Sequence, residues 1–183
     1  MDLKKGTIDL TNIHVKYENK NIRIRLLKKS ATSNVYKDTD NTIVIKKIIN
    51  YKDYHVFERE IHILNLLNKQ QINVPKLIFY DINNQIIIMS YCGEAISEKI
   101  FNSNNNYKKQ LSNIIKEIKK LNIKHNDIKH NSEILLLNDS IYLCDFGWAT
   151  INGNLDCNIN LSNKSKPCGL IDDDIFLLHK EYE

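Results

Sequence analysis

The spacing of apolar residues along the chain changes period several times, and each change marks an element. Ile13–Tyr17 and Ile22–Leu26 alternate apolar with polar side chains on either side of Glu18–Asn21, as two strands joined by a turn would. Asn34–Lys37 and the β-branched run Thr42–Ile49 add two more strands around a turn at Asp38–Asn41. Between Tyr54 and Leu67 the period lengthens. Phe57, Ile61, Leu64 and Leu67 share one helical face, widened by Ile63 and Leu66. Lys76–Tyr80 and Gln85–Met89 return to strand character around Asp81–Asn84. Gly93 and Asn102–Asn106 read as loop, and Leu111, Ile114, Ile115, Ile118 and Leu121 then mark a long amphipathic helix. A β-hairpin follows, Ile134–Leu137 and Ile141–Cys144 around Asn138–Ser140, and the tail is weakly patterned.

Composition narrows the class. With 183 residues, 42% hydrophobic and 26% charged, the chain suits one globular domain or two small lobes that share a core. Its longest apolar runs, such as Ile86–Met89, fit a buried strand and not a membrane span, and Met1–Gly6 has no signal-peptide core. Cys92, Cys144, Cys157 and Cys168 form no C-x-x-C pair, which implies reduced thiols in a cytoplasmic setting. The net charge is +4, and the lysine clusters lack interleaved aromatics, so no nucleic-acid partner is expected. Abundant Asn, Ile and Lys, whose codons are AT-rich, point to an AT-rich genome such as that of a large DNA virus, for which the host cytoplasm is the expected location.

Two polar clusters flank the hairpin, His125–Lys129 before it and Asp145–Gly147 after it. With Ile43–Lys46 on a strand, Glu58–Ile61 on a helix and Ile88–Gly93 leading out of a strand, they resemble, in order, the signature set of the protein-kinase superfamily across roughly residues 22 to 178. The resemblance implies an α+β, two-lobed fold. Residues 1–89 would form a β-rich upper lobe, 90–93 a hinge and 94–183 a reduced helical lobe. It also implies ATP and Mg²⁺ as cofactors. Phosphoryl transfer is mostly positioning and charge stabilisation, which is why charged residues recur at these places. Lys46 would neutralise phosphates while Glu60 steadies it. Asp145 would hold Mg²⁺, which prefers carboxylate and phosphate oxygen. Asp127 would orient the acceptor hydroxyl and take its proton, and Lys129 would reach the transferred phosphate. Ser90, Tyr91 and Cys92 would bind adenine through backbone groups, in front of Met89 and beneath Val35.

The chain departs from that family pattern in four places. Lys28, Ser30 and Ser33 stand where the glycine-rich loop has glycines. Small hydroxyl residues partly replace glycine, Lys28 could add charge, and the stretch Ser30–Tyr36 is similar to the loop of RIO-type atypical kinases. Ser132 stands at the place of the second metal-binding Asn, with Asn131 beside it, and Glu133 occupies an apolar position. Asn126 replaces the Arg that pairs with a phosphorylated loop, so activity is expected not to depend on that modification. No Ala-Pro-Glu follows Gly147. Asp172–Leu178 is expected to open the central helix of the lower lobe, with one Asp anchoring the catalytic-loop backbone.

The leading expectation is a minimal serine/threonine protein kinase, Lys129 being the residue usual in that class. Its partners would be ATP and a protein substrate, with no membrane. The alternatives are a pseudokinase that uses the fold to bind a protein partner, and a small-molecule phosphotransferase.

Overall fold

The computed structural model describes residues 14–17, 20–50, 55–152 and 171–178; Cys157 and Cys168 lie outside them. Six strands, β1 (His14–Tyr17), β2 (Lys20–Lys29), β3 (Ser33–Asp38), β4 (Ile43–Ile48), β5 (Leu77–Asp81) and β6 (Ile86–Ser90), form an antiparallel sheet in the order β1-β2-β3-β4-β6-β5. Helix α1 (Val56–Leu67) connects β4 to β5. The apolar run of β6 is covered on both faces, which is why it does not alternate with polar residues. Ile86 and Ile88 pack with Ile24, Ile45 and Phe79 on one side. Ile87 and Met89 meet Val56, Phe57 and Ile61 of α1 on the other.

A second core lies below α1. Its outer residues Ile63, Leu64 and Leu67 pack with Leu111, Ile115 and Ile118 of α3 (Asn105–Lys120) and with Ile134, Ile141 and Leu143 of the hairpin β9 (Ile134–Leu137) and β10 (Ser140–Leu143). Full burial of each such side chain contributes roughly 1.5–3 kcal/mol, so α1 is held from both sides. The molecule is therefore a mixed α/β, kinase-like fold, with a sheet above, helices below and α1 between them.

Several elements differ from the sequence expectation. The stretch Asn102–Asn106 is largely helical: α2 (Glu98–Asn102) ends there, and α3 begins at Asn105 because the Asn104 side chain accepts the Asn106 N–H. Two-residue strands β7 (Glu94–Ala95), β8 (Ile123–Lys124) and β11 (Thr150–Ile151) are too short for a periodic signal, yet β7 pairs with β9 and β8 with β11. The helix expected over Asp172–Leu178 is a single 3₁₀ turn at Asp173–Phe176. Asp172 caps it by accepting the Asp174 N–H, and Leu177 is already extended.

Gly93 links the sheet to β7 with φ of +97°, and a Cβ there would lie 2.0 Å from the Leu136 carbonyl oxygen. Gly93→Ala is expected to destabilise the fold by roughly 2–4 kcal/mol, because the left-handed backbone and the backbone clash act together. Urea denaturation of the two proteins reads the difference.

Candidate active site

Strand register aims the upper residues at one cleft. Val35 lies opposite Lys46, and Val44 opposite Met89, so all four share a sheet face and look into the space beneath it. The cleft has a volume of about 380 Å³, within the range of small-ligand sites. Its floor is Asn131, Ser132, Leu135, Cys144 and Asp145.

At the back of the cleft Lys46, only 4% exposed, donates to two carboxylates. Its Nζ is 2.7 Å from Glu60 Oε2 and 2.6 Å from Asp145 Oδ1. Burial would strip its proton, but Asp145 and Glu60 reverse that and hold its pKa above the ordinary value. The two carboxylates fare differently. Burial pushes Glu60 up to about 7 against the pull of Lys46. Burial also opposes ionisation of Asp145, yet Lys46, with smaller help from Lys28, brings it below its ordinary value. Asp145 is thus the ionised oxygen donor of the set, and its side chain is 35% exposed. Its φ of 66° lies in the left-handed region, which Asp tolerates better than most residues.

α1 brings more than Glu60. The adjacent Arg59 is fully buried, donates from Nη1 to the Gly147 carbonyl at 2.8 Å and stacks near the Trp148 ring. α1 therefore grips the 3₁₀ turn at Phe146–Trp148 that follows Asp145.

The loop before β9 is tied to the same turn. Buried His125 joins the two: its Nδ1 accepts the Asp127 N–H at 3.3 Å, so Nε2 carries the proton donated to the Cys144 carbonyl at 2.8 Å. Burial lowers its pKa and keeps the ring neutral. Asp173 accepts the N–H groups of His125 and Asn126 at 2.5 and 2.8 Å, as expected for an Asp of that segment. The Asn126 side-chain amide donates to the Trp148 carbonyl and to Thr150 Oγ1. Lys129 Nζ lies 2.9 Å from Asp127 Oδ1 and 3.8 Å from Glu133 Oε1.

Lys46, Glu60, Val35, Met89, Ser90, Cys92, Ser132 and Asp145 all line the cleft. Asp127 and Lys129 lie outside its wall, joined to it through His125 and Cys144. Ser30, Ser33 and Tyr91 do not line it. Ser30 Oγ accepts the Thr32 and Ser33 N–H groups and donates to the Ser33 carbonyl, so these serines build the turn itself. The Tyr91 hydroxyl donates to Glu94, which is on the cleft wall, and accepts from Lys37, a buried lysine that ties β3 to the segment after β6. Sequence reasoning passed over Lys37, Arg59 and Glu94. Burial marks Lys37 and Arg59, and the ion pair with Lys37 marks the exposed Glu94; charged residues on strands and helices are ordinarily solvated.

The residues present fit a magnesium–nucleotide complex. Among the described residues no cluster of three His, Cys, Asp or Glu suits a bare metal ion. Mg²⁺ is ordinarily held by one or two carboxylates plus substrate phosphates, and Asp145 supplies such an oxygen beside a lysine.

A RIO domain model matches residues 12–155. The chain is 29% identical over 115 residues to Aurora kinase of Saccharomyces cerevisiae, covering 58% of this chain and 31% of that protein. It is 25% identical over 154 residues to a probable bifunctional tRNA threonylcarbamoyladenosine biosynthesis protein of Methanocaldococcus jannaschii, covering 78% of this chain and 28% of that protein. The chain spans less than a third of the length of these curated relatives. No helix among the described residues is long and apolar enough to cross a membrane.

Glu133 yields a pH prediction. It is 3% exposed, its Oε2 has no hydrogen-bond partner, and burial pushes its pKa up to about 7. From its ordinary value of 4.5 up to about 7, the folded state holds a proton that the unfolded chain has lost, so this group's contribution falls as pH rises. Glu133→Gln carries no such penalty. Its stability relative to the parent is expected to be near zero at pH 4.5 and to grow to about 1–3 kcal/mol at pH 8. Denaturant titrations at the two pH values measure it.

Proposed function

Since the chain belongs to the RIO domain family of atypical protein kinases, we propose that it transfers the γ-phosphoryl group of ATP, with Mg²⁺, to a Ser or Thr hydroxyl of a protein. The observation that carries this reading is the double contact of Lys46 with Glu60 and Asp145 at the back of an apolar-walled cleft. Bound magnesium–ATP supplies the transferable group and part of the charge neutralisation. The chain's own residues do the rest. Backbone groups of Ser90 and Cys92, in front of Met89, hold the base below Val35. Lys46, steadied by Glu60, would bind phosphate oxygens, and Asp145 would hold the metal. Asp127 orients the acceptor hydroxyl and receives its proton, while Lys129 moves from Asp127 to the phosphate as charge develops there.

The turn after Asp145 needs no phosphate to hold it. Arg59 and Asn126 already bind its carbonyls at Gly147 and Trp148. Ordering of such a segment by phosphorylation works through a new charge pair, and here neutral donors and a buried guanidinium take that role.

One observation favours a second acceptor class. The match to the archaeal protein named for tRNA threonylcarbamoyladenosine biosynthesis covers more of this chain than the match to Aurora kinase. Under that reading the same cleft delivers phosphate to water or to a small acceptor.

Radiolabelled ATP separates the readings, since label in a protein band supports the first, and label in free phosphate or in a small-molecule product the second. Asp127→Ala and Asp145→Asn are each expected to lower the rate at least about 100-fold, and chelation of divalent ions to abolish it. Label transfer that survives Asp145→Asn refutes both. Phosphatase-treated protein is expected to keep its rate within about twofold, since removing phosphate removes no partner of the turn.

A further inference from the structure

Strand β2 carries an irregularity that places two consecutive side chains in the cleft. Side chains of a strand alternate between faces, yet Leu27 and Lys28 both line the site. The β2–β3 register explains it. Leu26 pairs with Tyr36 and Lys28 with Val35, so the extra residue Leu27 forms a bulge that rotates Lys28 inward. The Lys28 ammonium then spans the cleft from roof to floor and hydrogen-bonds Ser132 Oγ. Its charge also acts on Asp145.

We propose that Lys28 is a phosphate-binding residue whose ammonium takes the place of a second divalent cation, so that before transfer this chain holds its nucleotide with one metal ion, Lys46 and Lys28. The inference rests on the nucleotide reading above. In protein kinases two Mg²⁺ ions lie on the phosphates, one of them held by an Asn of the catalytic loop. Here the floor position aligned with that Asn is Ser132, a poorer Mg²⁺ ligand, and its hydroxyl already accepts from an ammonium. A cation at this point repels a second metal ion and attracts the outermost phosphate, which carries the most charge. Lysine serves as a phosphate contact in just this way, as a point charge on a flexible stem. Lys46 from the back and Lys28 from the roof would thus grip the triphosphate at two places, which offsets the loss of the glycine-rich backbone cradle.

The test uses binding and not turnover. Affinities for the β,γ-imido analogue of ATP and for AMP are measured by calorimetry with Mn²⁺, and bound Mn²⁺ is counted by electron paramagnetic resonance. The parent is expected to hold one Mn²⁺ per analogue. Lys28→Met should weaken the analogue by about ten- to a hundredfold and AMP by less than about twofold, with Lys28→Arg in between. Lys28 is exposed, so these variants keep the fold. Unchanged analogue affinity in Lys28→Met, an equal loss for AMP, or two Mn²⁺ ions in the parent overturns the inference while the nucleotide reading stands. A parent that binds no analogue at all overturns both.

Discussion

A single buried ammonium decides how this molecule is assembled. Lys46 lies between Glu60 of α1 and Asp145 of the lower layer, and all three belong to different elements. Removing one partner from a buried ion pair typically costs about 3–5 kcal/mol, because the charge left behind has no water to turn to. Here one cation serves two anions, so the cluster is short of positive charge. Glu60 bears that shortage as a raised proton affinity, and Asp145 stays ionised nearer the opening. The helix, the sheet and the turn after Asp145 are thereby held in one relative placement, and Arg59 adds a second tie from the same helix.

Much of this could be read in the chain. The switches of period located α1, α3, the central strands and the hairpin, since burial on one face leaves a repeat that even a single sequence displays. Lys46, Glu60, Ser132 and Asp145 were marked by their order and by the kinds of element that carry them, and the fold brings all four to the cleft. Ser30 and Ser33 lie off the cleft, and their hydroxyls serve local turn bonds, since a hydroxyl can serve a ligand or its own backbone equally well. Lys28 was visible as a charge, but its aim depends on a bulge, a register property of two strands that no single strand records. The short strands β7, β8 and β11 were missed because two residues carry no period.

The floor of the cleft shows how a small number of polar bonds substitutes for bulk. Asp173 fixes two backbone N–H groups of the loop, and the Asn126 amide reaches the turn beyond Asp145. Phe146 lies edge-on to the His125 ring, with centroids 4.8 Å apart, and closes the gap between them. The buried His125 ring, the Asn126 amide and the Asp173 carboxylate each have partners, which is the condition for such a network to order a site instead of loosening it.

The imidazole of His125 has a consequence outside catalysis. Its Nδ1 can accept from Asp127 only while it lacks a proton. Acid would place a donor against a donor at the joint between the loop and the strand end at Cys144. The molecule would then lose alignment through a ring that lines no cleft, so one concealed proton would weaken it in acid alongside the carboxylates of the same network.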